Sequence, residues 1–172
     1  MDLNKLGKLI CKQAEEKGWG HTKETLVVSE KMMLIGTELT ELEEARNNIV
    51  ALPKDTMASE YADVLMRTLH LGTAWGVDFN LEIDFESKIK SKKGKFEILD
   101  LLYLHNLVTA GYENFRHKNI DEFLKCLNII AREIVILSEL EGVDIVEGFM
   151  NKININKDRV WDRSKLNGHY LK

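Results

Sequence analysis

Val28, Met32, Ile35, Leu39, Leu42 and Ile49 recur at steps of three, four or seven, a spacing that lines one face of an α-helix and no face of a strand. The stripe predicts a long amphipathic helix from about Thr25 to about Val50, which must bury that face against other helices. The ALPKDT segment after it holds the only proline, with Asp55 and Thr56 able to cap a second helix that carries Ala62, Leu65, Leu69 and Ala74. Gly76 is placed to stop that helix, and Asp78 or Asn80 to start a shorter one through Phe85 and Ile89. The lysine-rich SKIKSKKGK reads as a solvated loop. A helix from Phe96 to about Phe115 is expected to turn Leu99, Leu102, Leu107 and Val108 inward. Another should run from Asn119 or Asp121 to about Glu139, and a last one from Asp144, after Gly142, to about Ile155. Strand-type alternation of useful length is missing, so the expected fold is all-α, a helical bundle.

A chain of 172 residues suits one domain and buries roughly 70% of its unfolded surface. We therefore expect a single domain over 1–172, with an acid-bearing first half over about 22–95 and a second half over about 96–160. The net charge of -4 and pI near 5.8 argue against nucleic acid as the main partner, since duplex binding needs a basic face. No apolar run approaches the roughly 20 residues that span a bilayer, and MDLNKLGKLICKQAEEKGWG carries acids where a signal peptide is apolar. The expected location is the cytoplasm, with no membrane partner. Cys11 and Cys126 form no CxxC or Cys/His pattern and read as reduced thiols.

There is a faint internal repeat. TAWGVDFNLEIDFESKI resembles SELEGVDIVEGFMNKI, and EEARNNI resembles ENFRHKNI. In that register Glu38, Glu41, Glu60 and Asp63 correspond to Val108, Gly111, Cys126 and Ile129. Two helical hairpins packed about a pseudo-twofold, with one working site, would follow.

Those four acids are the chemical centre of the sequence. Glu38 and Glu41 stand at i,i+3 on the first long helix, and Glu60 and Asp63 repeat the spacing on the next, so each pair shares one helix face. A short connection makes the two helices antiparallel neighbours, and both pairs then meet across the groove between them. Two unit charges 4 Å apart repel by about 4 kcal/mol at an effective dielectric of about 20, so a half-buried ionised cluster calls for a cation. An all-oxygen donor set without Cys or His selects Mg²⁺, with Mn²⁺ as a substitute, and Mg²⁺ favours a nucleotide polyphosphate as its guest. The competing reading is two pairs of solvated acids on surface helices; their setting in apolar stretches, LIGTELTELEEA and SEYADVLMRTL, weighs against it.

EKMMLIGTELTELEEARNN followed by SEYADVLMRTLHLGTAWGVDF resembles the MazG family of all-α nucleotide pyrophosphohydrolases, relatives of the dimeric dUTPases. The family pattern is ExxE, a gap, then ExxD; here the gap spans residues 42–59. KGWGHTKE upstream and KININKDR downstream resemble family segments too, so the likeness runs from about Lys17 to Arg159. The resemblance implies that Glu38, Glu41, Glu60 and Asp63 bind Mg²⁺ and that a nucleoside triphosphate is cleaved to the monophosphate and pyrophosphate. It also implies that a KxxxNxxR segment, matched by Lys152, Asn156 and Arg159, holds the triphosphate. A Lys, an Asn and an Arg at i, i+4 and i+7 share one helical face and suit phosphate oxygens. The chain departs from many relatives in carrying His70 where they have an aspartate two turns after the ExxD acid. It also places a second helical half before the KxxxNxxR segment, as dimeric dUTPases do, which leaves a homodimer open.

Other candidates are weaker. His70 shares a face with Glu60, Asp63 and Arg67, and reads either as a group that orients water or phosphate or as a structural histidine. Trp19 and His21 lie in a glycine-flanked loop and could stack on a base or cover the core. Glu44 continues the acidic face as a candidate ligand or base. There is no GxxxxGK[ST] loop, no ExxH and no visible nucleophilic triad. The expected activity is Mg²⁺-dependent NTP or dNTP pyrophosphohydrolysis, with Glu38 or Glu41 taking the proton from water. Its rivals are a dUTPase-like enzyme strict for deoxyuridine and a non-catalytic helical interaction module.

Overall fold

Long apolar stripes become helices in the computed structural model, which describes residues 1–47, 57–80 and 98–158. The elements are α1 (Leu3–Glu16), α2 (Val28–Arg46), α3 (Met57–Ala74), α4 (Ile98–Arg116), α5 (Ile120–Leu140) and α6 (Ile145–Asp158). The fold is all-α; no described residue lies in a strand.

α3 is buried over most of its surface, polar Ser59, Glu60, Thr68 and His70 included, so it is the enclosed helix of the bundle. Tyr61, Ala62, Val64, Leu65, Leu69 and Leu71 show no exposed surface, and α1, α2, α5 and α6 all pack on α3. α2 and α5 also pack on α4, so α2, α3, α5 and α4 close into a ring of neighbours, a four-helix bundle. α1 and α6 lie against α3. Trp75, just past α3, meets Phe115 and Phe123 edge to face at 5.4 and 5.5 Å, tying the end of α3 to α4 and α5. No helix among the described residues is long and apolar enough to cross a membrane.

The first predicted helix ends at Arg46. Residues 48–50, the caps Asp55 and Thr56, the helix expected through Phe85 and Ile89, and the lysine run all lie outside the described residues. Two readings need correction. Leu102 does not face inward: it is 54% exposed, because the buried face of α4 follows Leu101, Leu104, Val108 and Gly111. α1 is an element the stripes did not predict; Asp2 caps it by accepting the Lys5 N–H at 3.0 Å, and Leu3, Ile10 and Ala14 are buried.

The two GVD strings are copies of one local device. Gly76 and Gly142 take φ of +81° and +68°, where an L side chain would be strained. The Val77 N–H returns to the Gly72 carbonyl and the Val143 N–H to that of Ser138. Asp78 Oδ1 then accepts from the Asn80 N–H and Asp144 Oδ1 from the Val146 N–H. Helix-stop and helix-start chemistry is enough to produce the matching letters. At the positions paired with the acids, Val108, Gly111, Cys126 and Ile129 are all buried. A Cβ on Gly111 would stand 3.3 Å from that of Cys126 and 2.9 Å from Met32 Cε, so side chains fill the groove between α4 and α5.

Candidate functional site

α2 and α3 run antiparallel, with Glu38 of α2 beside Asp63 and Arg67 in the middle of α3. The outward turn of α2 would carry Glu38 to solvent, but its neighbours Ile35, Leu39 and Leu42 have no exposed surface and draw it into the groove. On α3 the enclosure of the helix does the same for Glu60, which is 2% exposed, and partly for Asp63. Carboxylate oxygens of Glu38, Glu60 and Asp63 all fall within 4.8 Å of one another.

Two cations border this trio. Lys152, from α6, directs its Nζ onto Asp63 Oδ2. Arg67 donates its Nε–H to Glu38 Oε1 at 3.0 Å. Burial raises the pKa of Glu38 above the ordinary carboxylate value; Arg67 opposes that rise, and the negative charges of Asp63 and Glu41 add to it. Three acids this close repel one another, and Lys152 and Arg67 each offset part of that repulsion. The donor set fits a hard divalent cation such as Mg²⁺, because each of the three residues offers a carboxylate oxygen.

The approach of α6 places Lys152. Gly148 packs so closely on the first turn of α3 that a Cβ there would stand 2.1 Å from the Ala58 carbonyl oxygen. Gln13 of α1 fixes the other side of α6 by donating to the Ile153 carbonyl at 2.8 Å, a buried bond. Lys152 then reaches across from α6 to Asp63 of α3.

The structure brings Glu38, Glu60, Asp63 and Lys152 together. Glu41 is exposed beside the trio, close enough to act on Glu38 electrostatically. Glu44 is half-buried in α2 and outside the cluster, and Asn156 is half-buried one turn beyond Lys152. Arg159 lies outside the described residues. Trp19 is half-buried in the turn after α1. His70 is committed to a structural bond: its Nε2–H donates to the Gly20 carbonyl at 2.7 Å, which requires that nitrogen to carry the proton. Burial pushes the ring's pKa down to about 4, so it is neutral near pH 7.

Two features escaped the sequence reading. Arg67 is one; its place at i+4 from Asp63 and i+7 from Glu60 was the available signal. The other is the Glu141 carboxylate, which accepts from Tyr61 Oη at 2.9 Å and from Arg46 Nε at 3.1 Å, and so pins the far end of the α2–α3 pair. Comparison with known protein families, with curated proteins and with solved structures finds no match for the chain.

Proposed function

We propose that the chain is a Mg²⁺-dependent nucleoside triphosphate pyrophosphohydrolase of the MazG kind, yielding a nucleoside monophosphate and pyrophosphate. The observation that supports this is the meeting of Glu38, Glu60 and Asp63 with Lys152, a cation delivered from a distant helix to the edge of a carboxylate trio. A solvated acidic surface needs neither the burial of Glu60 nor that delivery.

Glu38, Glu60 and Asp63 would hold the ion. Mg²⁺, or Mn²⁺ in its place, supplies charge neutralisation, polarised phosphate oxygens and an acidified water when bound. Lys152 presents its ammonium where phosphate oxygens approach the acids, and Asn156 follows on the same helix. Glu41, exposed beside Glu38, would take the proton as water oxygen bonds to the α-phosphorus in line and the bridging P–O bond breaks, releasing pyrophosphate.

The test is release of monophosphate and pyrophosphate from a panel of NTPs and dNTPs with Mg²⁺, by wild type and Asp63→Asn. We expect turnover that EDTA abolishes and that Asp63→Asn lowers by at least about a hundredfold, since even outer partners of a metal site cost up to that. Cleavage of dUTP alone would make it a dUTPase-like enzyme. No pyrophosphate from any nucleotide, or activity that survives EDTA, would sink the proposal; the former outcome would favour an interaction module.

A further inference from the structure

Arg67 sits one turn beyond Asp63 on α3, and its bond to Glu38 uses only the Nε edge of the guanidinium. Its Nη groups donate to no described residue. The site is graded in depth. Glu60 lies at the floor, the Lys152 side chain is 22% exposed, and that of Arg67 is 43% exposed over a Glu38 side chain at 9%. The outward edge of the guanidinium fork therefore stands at the mouth of the acid trio. As a bare counter-ion so exposed, Arg67 would stabilise little. A planar fork clamped along one edge is, however, pre-organised to take non-bridging phosphate oxygens with the other.

We propose that Arg67 is a polyphosphate-binding residue: held over the acids by Glu38, its guanidinium grips the substrate's triphosphate from the Glu38 side as Lys152 does from the Asp63 side. This rests on the pyrophosphohydrolase reading and adds a cation outside the Lys152, Asn156 and Arg159 segment. Ligands should accordingly rank tripolyphosphate above pyrophosphate above phosphate.

The experiment is calorimetric titration of the full chain with inorganic tripolyphosphate in Mg²⁺, alongside the Mg²⁺-induced shift in melting temperature. For Arg67→Met we expect tripolyphosphate binding weakened roughly ten- to hundredfold, the scale of a charge-assisted hydrogen bond, with orthophosphate affected less and the Mg²⁺ shift kept. Arg67→Lys keeps the charge over Glu38 but loses the fork; its affinity should fall between the two, and it decides the matter should Arg67→Met fail to fold. Unchanged tripolyphosphate affinity in folded variants that still respond to Mg²⁺ would make Arg67 a counter-ion only, overturning this inference while leaving the proposed function standing. A wild type that responds to neither Mg²⁺ nor tripolyphosphate would overturn both.

Discussion

His70 holds the loop after α1 to α3 through a neutral ring whose Nε2–H meets the Gly20 carbonyl. Its pKa of about 4 in the fold compares with 6.5 for the free side chain. Above pH 6.5 both folded and unfolded states leave it neutral, and its contribution to stability is complete. As pH falls from 6.5 towards 4, the unfolded chain binds a proton that the fold refuses, and up to about 3 kcal/mol is lost. Urea unfolding at pH 7, 6 and 5 should show that slope, and His70→Gln, which keeps an N–H for Gly20, should flatten it. An identical slope in His70→Gln would assign the effect to other groups. The structural role was one of two readings open in the sequence, where His70 and the acids share a helical face; the position of the Gly20 carbonyl decides for it. The trio itself was legible, because i,i+3 acids among buried apolar neighbours have one groove to enter. Glu41 shares the spacing but not the neighbours: Thr37 and Thr40 beside it are exposed, and so is Glu41. Arg67 reads as any base on a charged helix until Glu38 is seen across the groove.

Among the elements, α2 to α6 follow from stripes and stop signals to within a few residues, whereas α1 is missed. Leu3, Leu6, Ile10 and Ala14 do carry helical spacing, but the acids that flank them lead the segment to be weighed only against a signal peptide and not as a bundle helix. α6 carries the more testable demand. At Gly148, alanine would ordinarily favour a helix by about 1 kcal/mol. Here the added Cβ meets backbone, the Ala58 carbonyl oxygen at 2.1 Å, and backbone cannot swing aside as a side chain does. Overpacking of this kind costs about 1–3 kcal/mol, so we expect Gly148→Ala to lower the melting temperature by several degrees. It should also draw Lys152 off Asp63 and weaken tripolyphosphate binding. A Gly148→Ala protein as stable as wild type would mean that α6 does not lie this close to α3.

At the scale of the molecule, the four-helix ring has one groove between α2 and α3 and another between α4 and α5, and chemistry is expected in one. The groove between α2 and α3 gathers three acids; the groove between α4 and α5 is closed by Val108, Gly111, Cys126 and Ile129. The all-helical bundle was legible because periodicity survives wherever one face must be buried. The GVD strings are no independent sign of a pseudo-twofold, because turn chemistry is enough to produce them. What matters for function is the asymmetry of charge, and it is measurable. A cation bound only by the folded state stabilises it by mass action, about 2.7 kcal/mol at a hundred times Kd, and it also relieves repulsion among the trio. For a chain of this size that raises the melting temperature by roughly 5–10 °C. Glu60→Gln should shrink the shift, because it removes the most buried donor, while leaving the helical signal intact. Calorimetry with Mg²⁺ and a non-hydrolysable triphosphate should then give one site per chain. A flat melting curve from zero to millimolar Mg²⁺ would remove the case for a preformed centre, and two equivalent sites would mean that the α4–α5 groove opens to ligand despite its packing.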